Sequence, residues 1–253
     1  MNKNTQNGIY QNFSLTIAGL GPGDPSLLTL GAVKAIQNST LIAYPVSVIG
    51  GRSLAADIAS DWISKDKKTL CLYFPMVKDP IVLKNAWRKA VEQLVSAIKK
   101  GEEVVFLSQG DTSLFSTASY VLMEFKRNHP QYHVKVIPGI NSFSAAAASI
   151  QLPLALQKEQ LLVLATPEEP MILQKLLVEA NNLNRVIVLM KVGNRWEWVR
   201  PLLAKMNLLE QAIFAKRIGF EDQQIESASN VPKGVNPYFS LLLIRQCWPT
   251  ILS

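Results

Sequence analysis

The chain has 253 residues, of which 48% are hydrophobic, and a formal net charge of +7. This length and composition suffice for two α/β domains or one large domain. No apolar run approaches the roughly 20 residues that span a bilayer, so we expect no membrane helix. Two cysteines and two histidines are too few for a disulfide framework or for a thiolate or imidazole metal site, which predicts metal-free chemistry.

Residues 1–12 are polar and lack both the apolar centre of a secretory signal and the arginines of a transit peptide. We expect a loose tail there and a protein that stays in the cytoplasm. The positive charge is mild and spread along the chain, so it permits an anionic small molecule or a nucleic acid as partner.

Apolar runs alternate with helical patterns through the first half of the chain. Residues 13–19 form a short apolar run ending in glycines, which is typical of a strand buried on both faces. Residues 25–38 have helical apolar spacing, with Asp24 as the cap and Pro25 in the first turn. Further strands are expected at 40–44, 69–74, 104–107 and 133–137, and further helices at 53–64, 82–100 and 116–127. This order predicts a mostly parallel sheet covered by helices.

The alternation restarts after an alanine-rich helix at 142–150 and a turn at Pro153. The expected elements are strands at 160–165, 185–190, 211–216 and 238–245 and helices at 171–180 and 195–206. The prediction is therefore an α/β protein of two α/β domains with mostly parallel or mixed sheets, at residues 13–139 and 140–253.

Four loops at predicted strand ends carry unusual residues, and ligands of open α/β sheets collect at the carboxyl ends of strands. These loops are Gly-Leu-Gly-Pro-Gly-Asp-Pro at 19–25, Ser-Gln-Gly-Asp at 108–111 with the following residues to 117, Pro-Gly-Ile-Asn-Ser at 138–142, and Met-Lys-Val-Gly-Asn at 190–194. The first loop matches neither the dinucleotide nor the triphosphate pattern. Each loop alone also has a structural interpretation: a Gly-Pro turn, Asp111 as cap of the next helix, close helix packing, or Met190 in the core.

The sequence contains no nucleophile-elbow motif, no Cys-His pairing and no close carboxylate pair with obvious acid and base roles. This favours group transfer from an activated donor, where positioning supplies most of the rate.

The order and spacing of the loops resemble the tetrapyrrole methylase family, whose fold differs from that of Rossmann methyltransferases, over about residues 13–245. Gly-Pro-Gly-Asp-Pro at 21–25 and Gly110-Asp111 with Ser116-Thr117 are similar to its signatures. Ala-Tyr-Pro at 43–45, Gly-Arg-Ser-Leu-Ala at 51–55, Phe-Pro-Met at 74–76 with Asp79, and residues 139–148 with Pro153-Leu154 resemble its precorrin-2 C(20)-methyltransferase branch.

The resemblance implies S-adenosylmethionine-dependent methylation of precorrin-2, or of cobalt-precorrin-2, at C-20 in cobalamin biosynthesis. It implies a homodimer that binds a small-molecule tetrapyrrole and no nucleic acid or membrane, with the donor folded between the two domains. The implied donor contacts are Pro22, Gln109, Gly110, Asp111, Leu114, Asn141, Ser142, Met190 and the backbone near Arg217. The expected substrate contacts are Gly21, Tyr44, Arg52 and Ser53.

Asp24 has two possible roles under this resemblance, proton removal from the methylated carbon or capping of the following helix. Two residues depart from the family pattern. Thr112 stands where the family usually has proline, and Gln109 stands where the branch often has an acidic residue.

Three alternatives stay open: another tetrapyrrole methylase, an RNA or protein methyltransferase of the same fold, and a non-catalytic tetrapyrrole binder. The sequence lacks the interleaved basic and aromatic residues typical of single-stranded RNA binding. Trp196 and Trp198 are the apolar candidates for a dimer surface.

Overall fold

The computed structural model describes residues 14–249, and its contacts divide them into two compact units. The first unit contains the described residues up to Leu20 together with Leu28–Gly139, and the second contains Gly21–Leu27 and the described residues from Ile140 onward. The segment Gly21–Leu27 thus belongs to the second unit, although it was expected within the first domain, residues 13–139. The predicted tail, residues 1–12, lies outside the described residues.

The first unit contains a parallel five-stranded sheet with the strand order β3-β2-β4-β1-β5. Its strands are β1 (Leu15–Gly19), β2 (Leu41–Val46), β3 (Lys68–Tyr73), β4 (Val104–Ser108) and β5 (Val134–Ile137). Its helices are α1 (Leu30–Asn38), α2 (Leu54–Ile58), α3 (Pro80–Lys99) and α4 (Thr117–Asn128). Apolar residues of α3 and α4 form a core on one face of the sheet, and those of α1 and α2 form a core on the other. Burial on both faces explains why the central strands read as continuous apolar runs.

The helix expected at residues 25–38 is wrong at its start. Pro25–Leu27 forms a separate 3₁₀ turn, and α1 begins only at Leu30, where the Thr29 hydroxyl accepts a hydrogen bond from the amide of Ala32. The helix expected at 53–64 is also divided, because α2 is followed by a 3₁₀ turn at Ser60–Trp62.

The second unit contains a mixed five-stranded sheet with the order β6-β7-β10-β8-β9. Its strands are β6 (Gln160–Ala165), β7 (Arg185–Met190), β8 (Ala212–Lys216), β9 (Gln224–Ser227) and β10 (Ser240–Ile244), and its helices are α5 (Ser142–Ser149), α6 (Pro170–Asn182) and α7 (Trp196–Lys205). Among the described strands of this sheet, only β6 and β7 pair in parallel. The α/β prediction with parallel and mixed sheets is confirmed.

Trp196 lies in the core of the second unit, so its assignment to the surface is wrong. Its side chain is fully buried, its ring lies 4.7 Å from that of Phe214, and its indole nitrogen donates a hydrogen bond to the carbonyl of Pro232 at 2.9 Å. A buried tryptophan needs such a partner for its N–H group. Trp198 is only partly buried.

A buried ion pair joins the end of β10 to the connection between α5 and β6. Arg245 pairs with Glu159, and both side chains are only 5% exposed. The Arg245 guanidinium also donates to the carbonyls of Pro153 at 2.7 Å and Leu154 at 3.2 Å. Among residues 14–249, no helix is both long and apolar enough to cross a bilayer.

Candidate active site

Three of the four predicted loops begin on adjacent strands of the first sheet. β1 lies between β4 and β5, and Gly19 is in register with Ser108. A Cβ atom on Gly139 would lie 2.2 Å from the carbonyl oxygen of Gly110, and one on Gly19 would lie 2.5 Å from the amide nitrogen of Gly139. Because only glycine permits such close approach, these three glycines bring the loops together at the carboxyl edge of the sheet.

The buried Asp111 carboxylate connects two of these loops. One oxygen accepts a hydrogen bond from the amide of Gly139 at 3.0 Å, and the other accepts bonds from the amide of Ser113 at 2.9 Å and from its hydroxyl at 2.5 Å. Burial alone would raise the pKa of the Asp111 carboxyl, but these hydrogen bonds together outweigh burial and lower the pKa below its ordinary value. Asp111 is therefore ionised at neutral pH and holds the two loops in place.

Three serine hydroxyls fix the remainder of the loop after β4. The hydroxyls of Ser108 and Ser116 are both buried and lie 2.7 Å apart, and the Ser119 hydroxyl donates to the Thr112 carbonyl at 3.0 Å. Ser116 caps α4 by accepting from the amide of Ala118 at 3.1 Å, so the alternative that Asp111 caps this helix is wrong. The density of serines between 108 and 119 is visible in the sequence, but their role in holding the loop was not predicted.

The same loop leaves room beside its glycine. Gly110 has φ +73°, and a Cβ atom at this position would have no neighbour within 4 Å. Gln109 and Leu114 are half-buried on either side of the buried residues Asp111 and Thr112. A ligand could therefore approach the backbone at Gly110 closely.

The glycine loop at Gly21–Leu27 packs on a second glycine of its own unit. A Cβ atom on Gly219, which has φ +82°, would lie 2.5 Å from the amide nitrogen of Asp24, and one on Gly23 would lie 2.9 Å from the ring of Phe220. The loop glycines therefore serve loop-to-loop contact, and Pro22 between them is buried. Gly219 was not identified from sequence, although a glycine three residues after the end of a predicted strand is a recognisable signal.

Asp24 caps the 3₁₀ turn and not α1. One of its carboxylate oxygens accepts from the amide of Ser26 at 2.8 Å, and its carbonyl accepts from the amide of Leu27 at 3.0 Å. No described residue donates a hydrogen bond to the second carboxylate oxygen. The capping role is therefore real but belongs to a different element from the one expected.

Asn141 and Ser142 lie at the start of α5, which packs on β10. The carbonyl of Asn141 accepts from the amides of Ser144 and Ala145 at 3.1 Å, whereas its side chain makes no capping bond. Within residues 14–249 the Asn141 side-chain amide has no hydrogen-bond partner. Such an amide at a helix start is suited to bind a polar ligand group.

Met190 and Arg217 lie at the ends of β7 and β8 in the second sheet. The Met190 carbonyl accepts from the amide and the hydroxyl of Thr166 at 2.8 and 2.9 Å. Arg217, with φ +52°, donates its amide to the Phe239 carbonyl at 2.8 Å and pairs with Asp222 at 2.6 Å. The backbone N–H of Arg217 is thus already used, and its carbonyl accepts from the amide of Phe220 at 3.0 Å. The second lone pair of that carbonyl oxygen is the backbone site available for the predicted donor contact.

The predicted substrate residues Arg52 and Ser53 lie in the connection between β2 and α2. The Ser53 hydroxyl donates to the Pro45 carbonyl at 2.8 Å and caps α2. The Arg52 side chain is 82% exposed and pairs with Asp57 at 2.7 Å. Ser53 therefore fixes the connection, and Arg52 projects into solvent.

Tyr44 lies in β2 opposite Cys71 of β3. A hydrogen bond with the Cys71 thiol and partial burial raise the pKa of the Tyr44 phenol above its ordinary value. The phenol is therefore neutral at physiological pH. Among residues 14–249 no cluster of three or more His, Cys, Asp or Glu side chains could hold a metal ion.

The chain is similar to known proteins over most of its length. A model of the tetrapyrrole (corrin/porphyrin) methylases matches residues 14–230. The chain belongs to this family. This tetrapyrrole methylase is 30% identical over 243 residues to the cobalt-precorrin-2 C(20)-methyltransferase of Salmonella typhimurium. The matched residues cover 94% of this chain and 98% of the relative.

Solved structures of other tetrapyrrole methyltransferases have the same fold. A cobalt precorrin-4 methyltransferase is 19% identical with a TM-score of 0.66, covering 91% of this methylase and 94% of that chain. The uroporphyrin-III C-methyltransferase from Thermus thermophilus, complexed with S-adenosyl homocysteine, is 18% identical with a TM-score of 0.58, covering 90% and 91% respectively. The predicted family and fold are confirmed, and the roles of the individual site residues stay predictions.

Proposed function

We propose that this tetrapyrrole methylase transfers the methyl group of S-adenosylmethionine to C-20 of precorrin-2 or cobalt-precorrin-2 in cobalamin biosynthesis. The full-length similarity to a relative named for this methylation carries the proposal. The joined loops at the carboxyl edge of the first sheet support it, because parallel α/β sheets bind ligands at that edge.

Donor binding in the first unit is assigned to Gln109, Gly110, Asp111 and Leu114. The open space beside Gly110 supports this assignment, because a ligand can reach the backbone there. Both Asp111 oxygens are already bonded to the loops. Asp111 therefore acts on the donor chiefly by holding the loop.

In the second unit the proposed donor contacts are Pro22, Asn141, Ser142, Met190 and the backbone of Arg217. The Asn141 side chain supports this assignment most directly, because it lies at a helix start and makes no capping bond. A sulfonium methyl group is already an activated electrophile, so these residues have to orient the reactants and exclude water.

Methyl transfer to C-20 forms a carbon–carbon bond, breaks the carbon–sulfur bond of the donor and releases a proton from C-20. We assign Asp24 as the acceptor of that proton. The support is its second carboxylate oxygen, to which no described residue donates a hydrogen bond. A carboxylate can act as a general base when it lies within hydrogen-bond reach of the proton that it removes.

The tetrapyrrole carries carboxylates at its periphery, and the proposed contacts for it are Gly21, Tyr44, Arg52 and Ser53. The exposed guanidinium of Arg52 supports the assignment, since arginine binds carboxylates with two hydrogen bonds. The neutral phenol of Tyr44 can donate or accept one further hydrogen bond. The family resemblance also supports a homodimer working in the cytoplasm, which light scattering and cell fractionation would test.

The test is incubation of the full chain with methyl-labelled S-adenosylmethionine and, separately, precorrin-2 and cobalt-precorrin-2. We expect one label per tetrapyrrole, located at C-20 by NMR, together with an equal amount of S-adenosylhomocysteine. Label at another carbon would identify a different tetrapyrrole methylase. Transfer to neither substrate, while the Salmonella enzyme is active under the same conditions, would reject the proposal.

A further inference from the structure

The loops at the carboxyl edge of the first sheet expose large apolar side chains. After β2, Val48 is 65% and Ile49 80% exposed, and after β3, Met76 is 72% exposed. The connections at the opposite edge of the same sheet are mainly polar, and Trp62 is their one large exposed apolar side chain among the described residues. Apolar exposure is therefore concentrated at the edge where parallel sheets bind ligands.

Two glycines build the turn that presents Val48 and Ile49. The amide of Gly51 donates to the Val48 carbonyl at 2.9 Å, and a Cβ atom on Gly51 would lie only 2.9 Å from that oxygen. Gly50 has φ +74° and an open surrounding. The turn therefore requires its glycines, and it places two branched apolar side chains, both largely exposed, in contact with water.

A cation follows directly in the same connection. Among residues 14–249, Arg52 pairs only with Asp57, in a solvent-exposed ion pair. Exposed pairs of this kind contribute little, so the guanidinium can turn to another anion at small cost. Two apolar side chains beside an available guanidinium match a flat apolar ring system with acidic substituents at its periphery.

We propose that the turn at residues 47–52 clamps the tetrapyrrole substrate, with Val48 and Ile49 against the face of the macrocycle and Arg52 at a peripheral carboxylate. The proposal rests on the proposed function and adds Val48 and Ile49 to the substrate-binding residues. A second copy of this chain is the competing occupant of the same apolar turn, and the experiment separates the two.

The test compares the double variant Val48→Ser/Ile49→Ser with wild type and with Val178→Ser, a control at an exposed valine of α6. Precorrin-2 and cobalt-precorrin-2 binding is measured by absorbance titration without donor, donor binding by calorimetry, transfer by steady-state kinetics, and mass by light scattering. We expect the double variant to raise the tetrapyrrole Kd and KM about tenfold or more, because apolar burial against the ring is lost. Donor Kd, Tm and mass should match wild type, as should every property of the control.

Unchanged tetrapyrrole Kd and KM in the double variant would overturn the clamp. Loss of the dimer with an unchanged tetrapyrrole Kd would also overturn it and assign the turn to a subunit contact. If the proposed function itself is wrong, the wild-type protein will transfer no methyl group to either substrate, which distinguishes that outcome from a wrong clamp.

Discussion

The Asp111 carboxylate accepts a hydrogen bond from the backbone amide of Gly139 at 3.0 Å, so a single buried side chain holds the loop after β4 against the loop after β5. The residues that depart from the family pattern, Gln109 and Thr112, flank this contact. Thr112 itself is buried, and its carbonyl is held by Ser119. Hydrogen bonds thereby restrain a loop that has no proline at this point.

Replacing Asp111 with Asn should lower the free energy of unfolding by about 1–3 kcal/mol at pH 7, because an amide cannot accept from all the donors that surround the carboxylate. The pKa of Asp111 is lower in the folded chain than its ordinary 3.8, so its stabilisation is present above that value and is lost as the pH falls through the folded pKa. Urea unfolding should therefore show wild type and variant converging under strongly acidic conditions. A gap that persists to the lowest pH would contradict this account, and Asp61→Asn, at an exposed position, is the control.

Alanine at Gly139 should destabilise the first unit far more than alanine at Gly110. The added Cβ atom at Gly139 meets a backbone oxygen at 2.2 Å, which predicts a loss of about 3 kcal/mol or more. At Gly110 the Cβ atom enters open space, and only the left-handed backbone costs about 1–2 kcal/mol. Thermal unfolding measures both. Equal losses would mean that the three-glycine contact is not as close as described.

Asp24→Asn separates proton transfer from capping, because an asparagine oxygen can still accept from Ser26. If Asp24 accepts the proton, the Asp24→Asn variant should have a kcat about 100-fold below that of wild type, with little change in Tm or in donor KM. Steady-state kinetics with both tetrapyrroles give the answer. If kcat changes by less than about threefold, Asp24 has the capping role alone, because asparagine keeps that cap.

The substitution Glu159→Gln should lower the free energy of unfolding by about 3–5 kcal/mol, because Arg245 would keep a buried charge without its partner. The matched change Glu92→Gln affects an ion pair with Arg88 in which both side chains are 59% exposed, and should cost at most about 0.5 kcal/mol. Chemical denaturation of both variants at neutral pH tests the difference. Similar small losses in the two variants would show that the Arg245 charge reaches water.

Asn141→Ala should raise the donor Kd about tenfold, because one or two hydrogen bonds to the donor are lost. Stability should be unchanged, because the Asn141 side chain makes no capping bond. Calorimetric titration with S-adenosylhomocysteine measures the affinity. Asn182→Ala, at the exposed end of α6, is the control and should bind normally. Normal donor affinity in Asn141→Ala would remove this residue from the site.

The sequence predicted the elements whose signal is local. The strand at Arg185–Met190 was visible because residues 186–190 are a continuous apolar run. The helix expected at 82–100 agrees with α3 except at its start, because α3 begins at Pro80 after the cap Asp79. The strand at Gln224–Ser227 was missed, because a short polar edge strand is defined by its pairing with β8 and not by its own pattern.

Contacts between distant residues could not be predicted. Gly219 contacts Asp24, which is far away in the chain, and no local sequence pattern at either residue predicts this contact. Trp196 was misplaced for the same reason, since its burial depends on Phe214 and Pro232. The loops of the candidate site follow β1, β4 and β5 as expected, and their role in binding stays a prediction. The use of both Asp111 oxygens by the loops themselves depends on tertiary geometry.

The membership of Gly21–Leu27 in the second unit affects how the chain can be divided. The backbone passes between the units at three places, after Leu20, after Leu27 and after Gly139, so no single cut separates them. A fragment that begins at Ile140 would lack the segment that packs on Gly219 and Phe220. Residues 21–27 are thus a noncontiguous part of the second unit, and a recombinant version of that unit would have to receive them as an added peptide or through a circularly permuted chain.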